Sequence, residues 1–320
     1  MSRYFVNQLT PGSKVNEVFL LCSTQLKDYA KGRFLSLELG DRTGQIGAVM
    51  WDGAEQAYQR IEVGDLVRVK GWVGSYNNKP QVTVDSIDKV ASENMSDWSD
   101  FLPETSKDKE TMLAGIREII NSIKTPYLNK LLRLFFEDAH FLKQFKEIPA
   151  AKKWHHSYRG GLLEHTLTVV ILCDRIADLY PLDKDILLAG AILHDIGKIE
   201  EFSTGAVTDY SDEGRLIGHT ILGDEMVRGK IDQIPDFPSE PALRLRHMLI
   251  SHHGEYEFQA PKKPKTPEAC LLHFADNLDA HVTGFLQEID KARADGRSWT
   301  DYVKVVERYL YVGSKKKDLR

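Results

Sequence analysis

All eleven histidines of this 320-residue chain lie at or beyond His140. Chemistry that uses imidazole is therefore confined to the second part, and the hydrophobic period changes before it begins. Up to about residue 90, apolar and polar residues alternate in short runs, the pattern of half-buried strands. Strands are expected at Val15–Thr24, Arg33–Leu39, Gln45–Met50, Leu66–Tyr76 and Gln81–Val90. Turn-forming residues separate them: Lys31-Gly32, Asp41-Arg-Thr-Gly44, Val63-Gly64-Asp65 and Asn77-Asn78-Lys-Pro80. Ala54–Arg60 reads as one short helix. After Lys109 the period is helical throughout, with amphipathic helices expected over Thr111–Ile123 and Tyr127–Phe145.

The expected architecture is multi-domain. An all-β barrel spans residues 1–90, a polar, acidic linker 91–109, and an all-α bundle 110–320. Trp98 and Phe101 are expected to make a docking contact within the linker. At 42% hydrophobic and 28% charged residues, the composition is that of a soluble globular protein with a full core. No apolar run is long enough for a membrane span, and Met1–Gln8 lacks the apolar core of a signal peptide. Cys22, Cys173 and Cys270 are far apart in the sequence and form no CxxC. They fit a cytoplasmic setting and exclude a cysteine-ligated zinc site. The net charge of −5 divides into +1 over residues 1–90 and −6 beyond, so any grip on a polyanion must come from local patches.

The densest chemistry lies in Leu187-Leu-Ala-Gly-Ala-Ile-Leu-His-Asp-Ile-Gly-Lys198, which reads as a helix closed by a glycine turn. Ala191, His194, Asp195 and Lys198 would share one face of it. An imidazole, a carboxylate and an ammonium on an apolar face are costly to bury alone; a divalent metal accounts for all three. His165 opens another helix after Gly160-Gly161. His219 starts a third, and His252-His253 ends a fourth. Asp276 faces inward from a largely apolar fifth, on one stripe with Ala269, Leu272, His273 and Ala280. Helices that each offer a ligand to one central point can build a metal site. His155 and His156 fit a structural or substrate-contact role better than ligation. His247 and His273 read as core or supporting groups, and His140 and His281 as surface residues. Arg159 is a candidate phosphate contact and equally a plain surface arginine.

The order H…HD…H…HH…D over roughly residues 150–285 resembles the HD phosphohydrolase superfamily. That resemblance implies metal ligation by His165, His194, Asp195 and Asp276, with His219, His252 and His253 as the extra ligands of two-metal members. In the first part, five strands with a helix after the third follow the order of an OB fold. Leu37-Glu-Leu-Gly-Asp-Arg-Thr-Gly-Gln-Ile46, Met50-Trp51-Asp52, Gly64-Asp65-Leu-Val-Arg-Val-Lys-Gly71 and Gln81-Val-Thr-Val84 are similar to the nucleic-acid-binding OB fold of the tRNA-anticodon type. Phe34, Trp51, Trp72 and Tyr76 are then candidate stacking platforms, and Arg33, Arg42, Arg68, Lys70 and Lys79 candidate phosphate partners. Each aromatic is equally a candidate for barrel core, with Trp51 and Tyr76 the better platforms because they sit at strand ends. Arg68 and Lys70 alternate outward from Val67 and Val69, as any solvated face would.

An OB fold followed by an HD domain resembles the YhaM-type 3′→5′ exoribonucleases of Gram-positive bacteria over essentially the full length. The resemblance implies decay of single-stranded RNA from its 3′ end, with single-stranded DNA as a further substrate. It also implies two divalent ions bridged by Asp195, Mn²⁺ being the preferred one. A donor set of His and carboxylate without thiolate equally suits Fe²⁺, Co²⁺ or Mg²⁺. Lys198 would offset charge on the reacting phosphate. A homo-oligomer without membrane contact is expected. Lys262, Lys263 and Lys265, in the proline-rich segment after His253, are candidate phosphate contacts or simply a solvated loop. Two other functions compete: an HD enzyme acting on nucleotides or cyclic dinucleotides, and a non-catalytic adaptor for single-stranded nucleic acid. The GYP signature of the cyclic-dinucleotide class is absent after His252-His253, and the complete ligand set argues against an adaptor.

Overall fold

A computed structural model describes residues 3–77, 79–90, 100–152, 154–203 and 208–313. The chain divides into two compact units, residues 1–104 with 204–209, and residues 105–203 with 210–320.

The first unit is a closed barrel of β1 (Lys14–Tyr29), β2 (Gly32–Asp41), β3 (Gly44–Met50), β4 (Leu66–Tyr76) and β5 (Lys79–Lys89), in the order β1-β2-β3-β5-β4. A short helix α1 (Ala54–Tyr58) follows β3. One long strand closes the barrel: Lys14–Leu20 of β1 pair with β4, and Leu20–Tyr29 pair with β2. An irregularity between Leu21 and Ser23 bends the strand where it changes partners. Alternation then sorts the side chains. Phe19, Leu35, Leu37, Leu39, Val67, Val69, Val73 and Val82 fill the interior, and Arg68, Lys70 and Trp72 of β4 stand outside. Phe101 packs on Leu20 and Leu66 of this unit, with the Arg3 guanidinium 4.0 Å from its ring. Trp98, expected beside it, lies outside the described residues.

The second unit is helical. Its described helices are α2 (Lys109–Ser122), α3 (Pro126–Phe136), α4 (Ala139–Phe145), α5 (Gly161–Ala177), α6 (Lys184–Leu193), α7 (Lys198–Glu201), α8 (Asp212–Leu216), α9 (His219–Ile231), α10 (Ser239–Ser251) and α11 (Pro267–Ala294). The organising element is α6, buried at every position from Ile186 to Leu193. A helix apolar all round must be covered on every side, and α5, α10 and α11 pack against it. No described helix is long and apolar enough to cross a membrane.

Two sequence expectations need correction. The single helix expected over Tyr127–Phe145 is broken at Glu137-Asp138, because the Asp138 carboxylate accepts the His140 and Phe141 amides and starts a new helix, α4. The helix expected to run through Lys198 ends at Leu193, and a turn carries the chain to α7. Gly197 explains the turn: a Cβ there would lie 2.0 Å from the His219 carbonyl oxygen, so backbone meets backbone at this point. Lys198 still reaches Asp195, through the turn rather than along a helix face.

A similar contact locks the barrel. A Cβ on Gly71 would lie 2.0 Å from the Thr83 carbonyl oxygen, at the irregular pairing of β4 and β5. Gly71→Ala is therefore expected to destabilise the first unit by ~1–3 kcal/mol, read as a lower midpoint for that unit in thermal melts. An unchanged melt would show that the strands part without cost.

Candidate metal centre

Five imidazoles are oriented by the same device. The Nδ1 of His194 donates to the Ala191 carbonyl at 2.8 Å, that of His252 to Leu249 at 2.7 Å and that of His253 to Phe258 at 2.8 Å. The Nδ1 of His165 donates to the Asp279 carboxylate at 2.7 Å, and that of His219 to Glu201 at 2.9 Å. With Nδ1 engaged in this way, each ring turns its Nε2 lone pair toward the others. Helix geometry supplies two of the acceptors, since His194 and His252 each sit just past a helix end, three residues after the carbonyl they use.

The Nε2 atoms form two poles. His165 and His194 are 3.2 Å apart, and Asp276 Oδ1 lies 3.2 Å from the first and 3.9 Å from the second. His219 and His253 are 3.1 Å apart, beside His252. Asp195 stands between the poles. Its Oδ2 is 3.4 Å from the Nε2 atoms of both His165 and His194; its Oδ1 is 3.5 Å from those of both His219 and His252. Lys198 Nζ lies 2.5 Å from Oδ2.

These residues fit a bound cation at each pole. Asp195 Oδ1 and His252 Nε2 are buried and have no hydrogen-bond partner, which is costly without a counter-ion. Bare nitrogens at such separations repel one another. Metal–nitrogen bonds of about 2.0–2.1 Å would place neighbouring ligand atoms roughly 3.0–3.4 Å apart, close to the 3.2 Å between His165 and His194 and the 3.1 Å between His219 and His253. The groups His165–His194–Asp276 and His219–His252–His253 can each hold an ion. A third close group, His156–His165–Asp279, is different. Both rings already meet Asp279 Oδ2, at 3.0 and 2.7 Å, so hydrogen bonding accounts for its closeness.

Charge follows this geometry. Burial works to raise the Asp195 carboxyl, but Lys198, His194 and His165 overcome it and hold the group well below the carboxylate range. Burial likewise opposes ionisation of Asp276 and Asp279, and hydrogen bonds from His165 to Asp276, and from His156 and His165 to Asp279, override it. Burial opposes a charge on His165 too, yet Asp195, Asp276 and Asp279 push its pKa well above the ordinary value. Where no metal is bound, these carboxylates favour the protonated form of the His165 ring. At the other pole burial dominates, lowering His252 and taking His253 down to about 3.

The remaining sequence candidates are distributed as follows. His156 is buried against Asp279 and Tyr158, and His155 has no partner for either ring nitrogen, with burial lowering its pKa to about 3. The Arg159 guanidinium is paired with Glu147, which also holds Lys109 at 2.9 Å. Lys263 is paired with Glu255 and lies 5.3 Å from the Tyr256 ring, while Lys262 and Lys265 are exposed. The four candidate aromatics of the barrel lie on its outer surface. Trp51 leans on Phe34 at 4.8 Å and on Tyr29 at 5.0 Å. Trp72 and Tyr76 stand exposed on β4, separated from β3 by β5. Arg68 and Lys70 continue that outer row of β4.

Sequence reasoning passed over Glu201, Asp279 and Tyr29. Glu201 and Asp279 each had a signal, an acidic residue three positions after a singled-out Lys198 or Asp276. Tyr29 had none beyond its type.

The comparisons agree with this division of labour. Residues 162–281 match the family model described as HD domain, and residues 23–90 the model described as OB-fold nucleic acid binding domain. Together the two matches support a nucleic-acid-binding HD hydrolase. The HD domain marks it as a metal-dependent phosphohydrolase. Residues 114–199 also match a model whose description names a helicase. Among solved structures, the second OB-fold domain of replication protein A from Methanococcus maripaludis is 22% identical. The match covers 28% of this chain and 95% of that one, at a TM-score of 0.24. Schizosaccharomyces pombe Pot1pC, bound to single-stranded DNA, is 18% identical over 30% of this chain and 91% of its own, at a TM-score of 0.26.

The two poles should load metal with different pH dependence. A metal must displace the proton of His165, whose raised pKa keeps it charged at neutral pH, so binding at that pole tightens as pH rises. His252 and His253 are already neutral there and release no proton. Calorimetric Mn²⁺ titrations in buffers of different ionisation enthalpy are expected to resolve one proton-releasing phase and one largely proton-neutral phase. Equal proton release at both phases would contradict the assignment of charge.

Proposed function

We propose that this HD hydrolase is a 3′→5′ exoribonuclease. It shortens single-stranded RNA, and also single-stranded DNA, by hydrolysing the terminal phosphodiester and releasing nucleoside monophosphates. One observation carries the reading: a carboxylate set between two groups of bare imidazole nitrogens, in a chain with an OB-fold nucleic acid binding domain. Direction and RNA preference rest on the resemblance of Gly160–Thr166, His194–Lys198 and Gly218-His219 to the YhaM-type enzymes.

His165, His194, Asp195 and Asp276 would hold one divalent ion, and Asp195, His219, His252 and His253 a second, with Mn²⁺ preferred. Such ions supply positive charge for a phosphate oxygen and make water a stronger acid. Asp279 and Glu201 hold the His165 and His219 rings in the ligating tautomer. The Lys198 ammonium, fixed beside Asp195, offsets negative charge growing on the phosphate. On the barrel, Tyr29, Phe34 and Trp51 offer π-faces that accept any base, and Arg68 and Lys70 offer charge to the backbone.

Incubation of 5′-labelled single-stranded RNA with the protein and Mn²⁺ is expected to give a ladder shortening from the 3′ end, with nucleoside monophosphates as products. Chelator should abolish it, and Asp195→Ala should abolish turnover while the helical circular dichroism is retained. Internal fragments from a circular RNA would contradict an exonuclease, and turnover of a nucleotide panel alone would point to a nucleotide phosphohydrolase.

Trp51→Ala is expected to weaken RNA binding by ~1–3 kcal/mol in fluorescence anisotropy. Undiminished affinity would assign the Tyr29–Phe34–Trp51 cluster to packing alone.

A further inference from the structure

Access to the cluster is uneven. His165 and His194 are fully buried and Asp195 nearly so, whereas His219 is 12% exposed at its side chain, Asp276 15%, and His253 is only half-buried. A ligand therefore approaches from the side of His219, His253 and Asp276. What stands on that side is apolar. His253 donates to the carbonyl of Phe258, the last residue of a 3-10 turn, Tyr256–Phe258. The turn is closed by the Phe258 amide on the Glu255 carbonyl at 3.0 Å and the Gln259 amide on Tyr256 at 3.0 Å. Yet Tyr256 is 64% and Phe258 57% exposed. Two large aromatic side chains are thus left in solvent on a turn pinned to a ring of the accessible pole. Leu216 and Ile217, just before His219 in the chain, are exposed as well.

We propose that Tyr256 and Phe258 bind the base of the nucleotide whose phosphate lies at the histidine cluster. This rests on the reading of that cluster as the hydrolytic site and says which part of the substrate is recognised beside it. The occupant follows from position and chemistry. The Phe258 carbonyl is one imidazole away from the pole, which sets the Tyr256–Phe258 turn within the span of a nucleotide whose phosphate is held there. Aromatic rings stack on the π-face that every base shares, so the site favours nucleotides without choosing among bases. Lys263, tied to Glu255 and to the Tyr256 ring, braces the turn and leaves backbone charge to Lys262 and Lys265.

The test uses the full-length protein in Mg²⁺ and two probes, 2-aminopurine ribonucleoside 5′-monophosphate and ribose 5-phosphate. Stacking should quench the 2-aminopurine, and ribose 5-phosphate should compete only weakly. The Tyr256→Ala/Phe258→Ala variant should lose the quench and bind the nucleotide about 5- to 150-fold more weakly, the range of a lost stacked base. If that variant fails to fold, Tyr256→Leu/Phe258→Leu, which keeps the apolar bulk, is expected to lose the quench in the same way. Unaltered quenching in the variant, or equal affinity for the two probes, overturns the proposal. So does a variant that shifts the sedimentation coefficient without changing nucleotide binding, since the rings would then cover a second copy of the chain. Because a mononucleotide is the probe, this result is independent of whether the enzyme degrades RNA and in which direction.

Discussion

The second unit depends on a buried carboxylate that cannot be satisfied by its own protein. Asp195 is almost wholly enclosed; its Oδ2 meets Lys198 and the His165 and His194 rings, while its Oδ1 faces His219 and His252 and has no hydrogen-bond partner. Burying an ion without full compensation costs several kcal/mol. The surrounding helices keep it there because each ring around it is fixed from behind, by a main-chain carbonyl or by Glu201 or Asp279. A bound cation would complete the arrangement and would make metal binding and stability of the unit parts of one equilibrium.

The rest of the bundle exists to hold that geometry. Helix α6 delivers His194 and Asp195 at its end, and its buried surface leaves it no freedom to slide. Gly190 lets Met248 of α10 lie against it, since a Cβ there would meet the Met248 side chain at 2.2 Å. The stop at Gly197 lets the backbone of α9, with His219, close on the same point. Ligand positions from five helices are fixed by backbone packing, which is stiffer than side-chain contact alone.

The barrel contributes something different. Its aromatic and basic groups lie on the outer surface, with Phe34 on β2, Trp51 just past the end of β3, and Trp72 and Tyr76 on β4, beyond β5. A surface of this kind grips a strand through stacking and backbone charge, without reading its bases.

Much of this was legible in the residue order. Strand alternation, turn residues and the later helical period are local properties, so the barrel strands and most helices follow from the sequence. The ligand candidates were legible because His and Asp at inward positions of apolar helices are costly unless they share a purpose. Other features were decided only by packing in three dimensions. The break of the predicted helix at Asp138 and the stop after Leu193 depend on a cap and on a close backbone approach. That Asp279, 114 positions from His165 in the chain, sets the tautomer of that ring is a tertiary fact. So is the pairing of Arg159 with Glu147 and of Lys263 with Glu255, which ties up two charges read as free in the sequence. Local patterns decide which face of an element is buried; which groups meet there depends on how the helices close on one another, and only the folded structure contains that information.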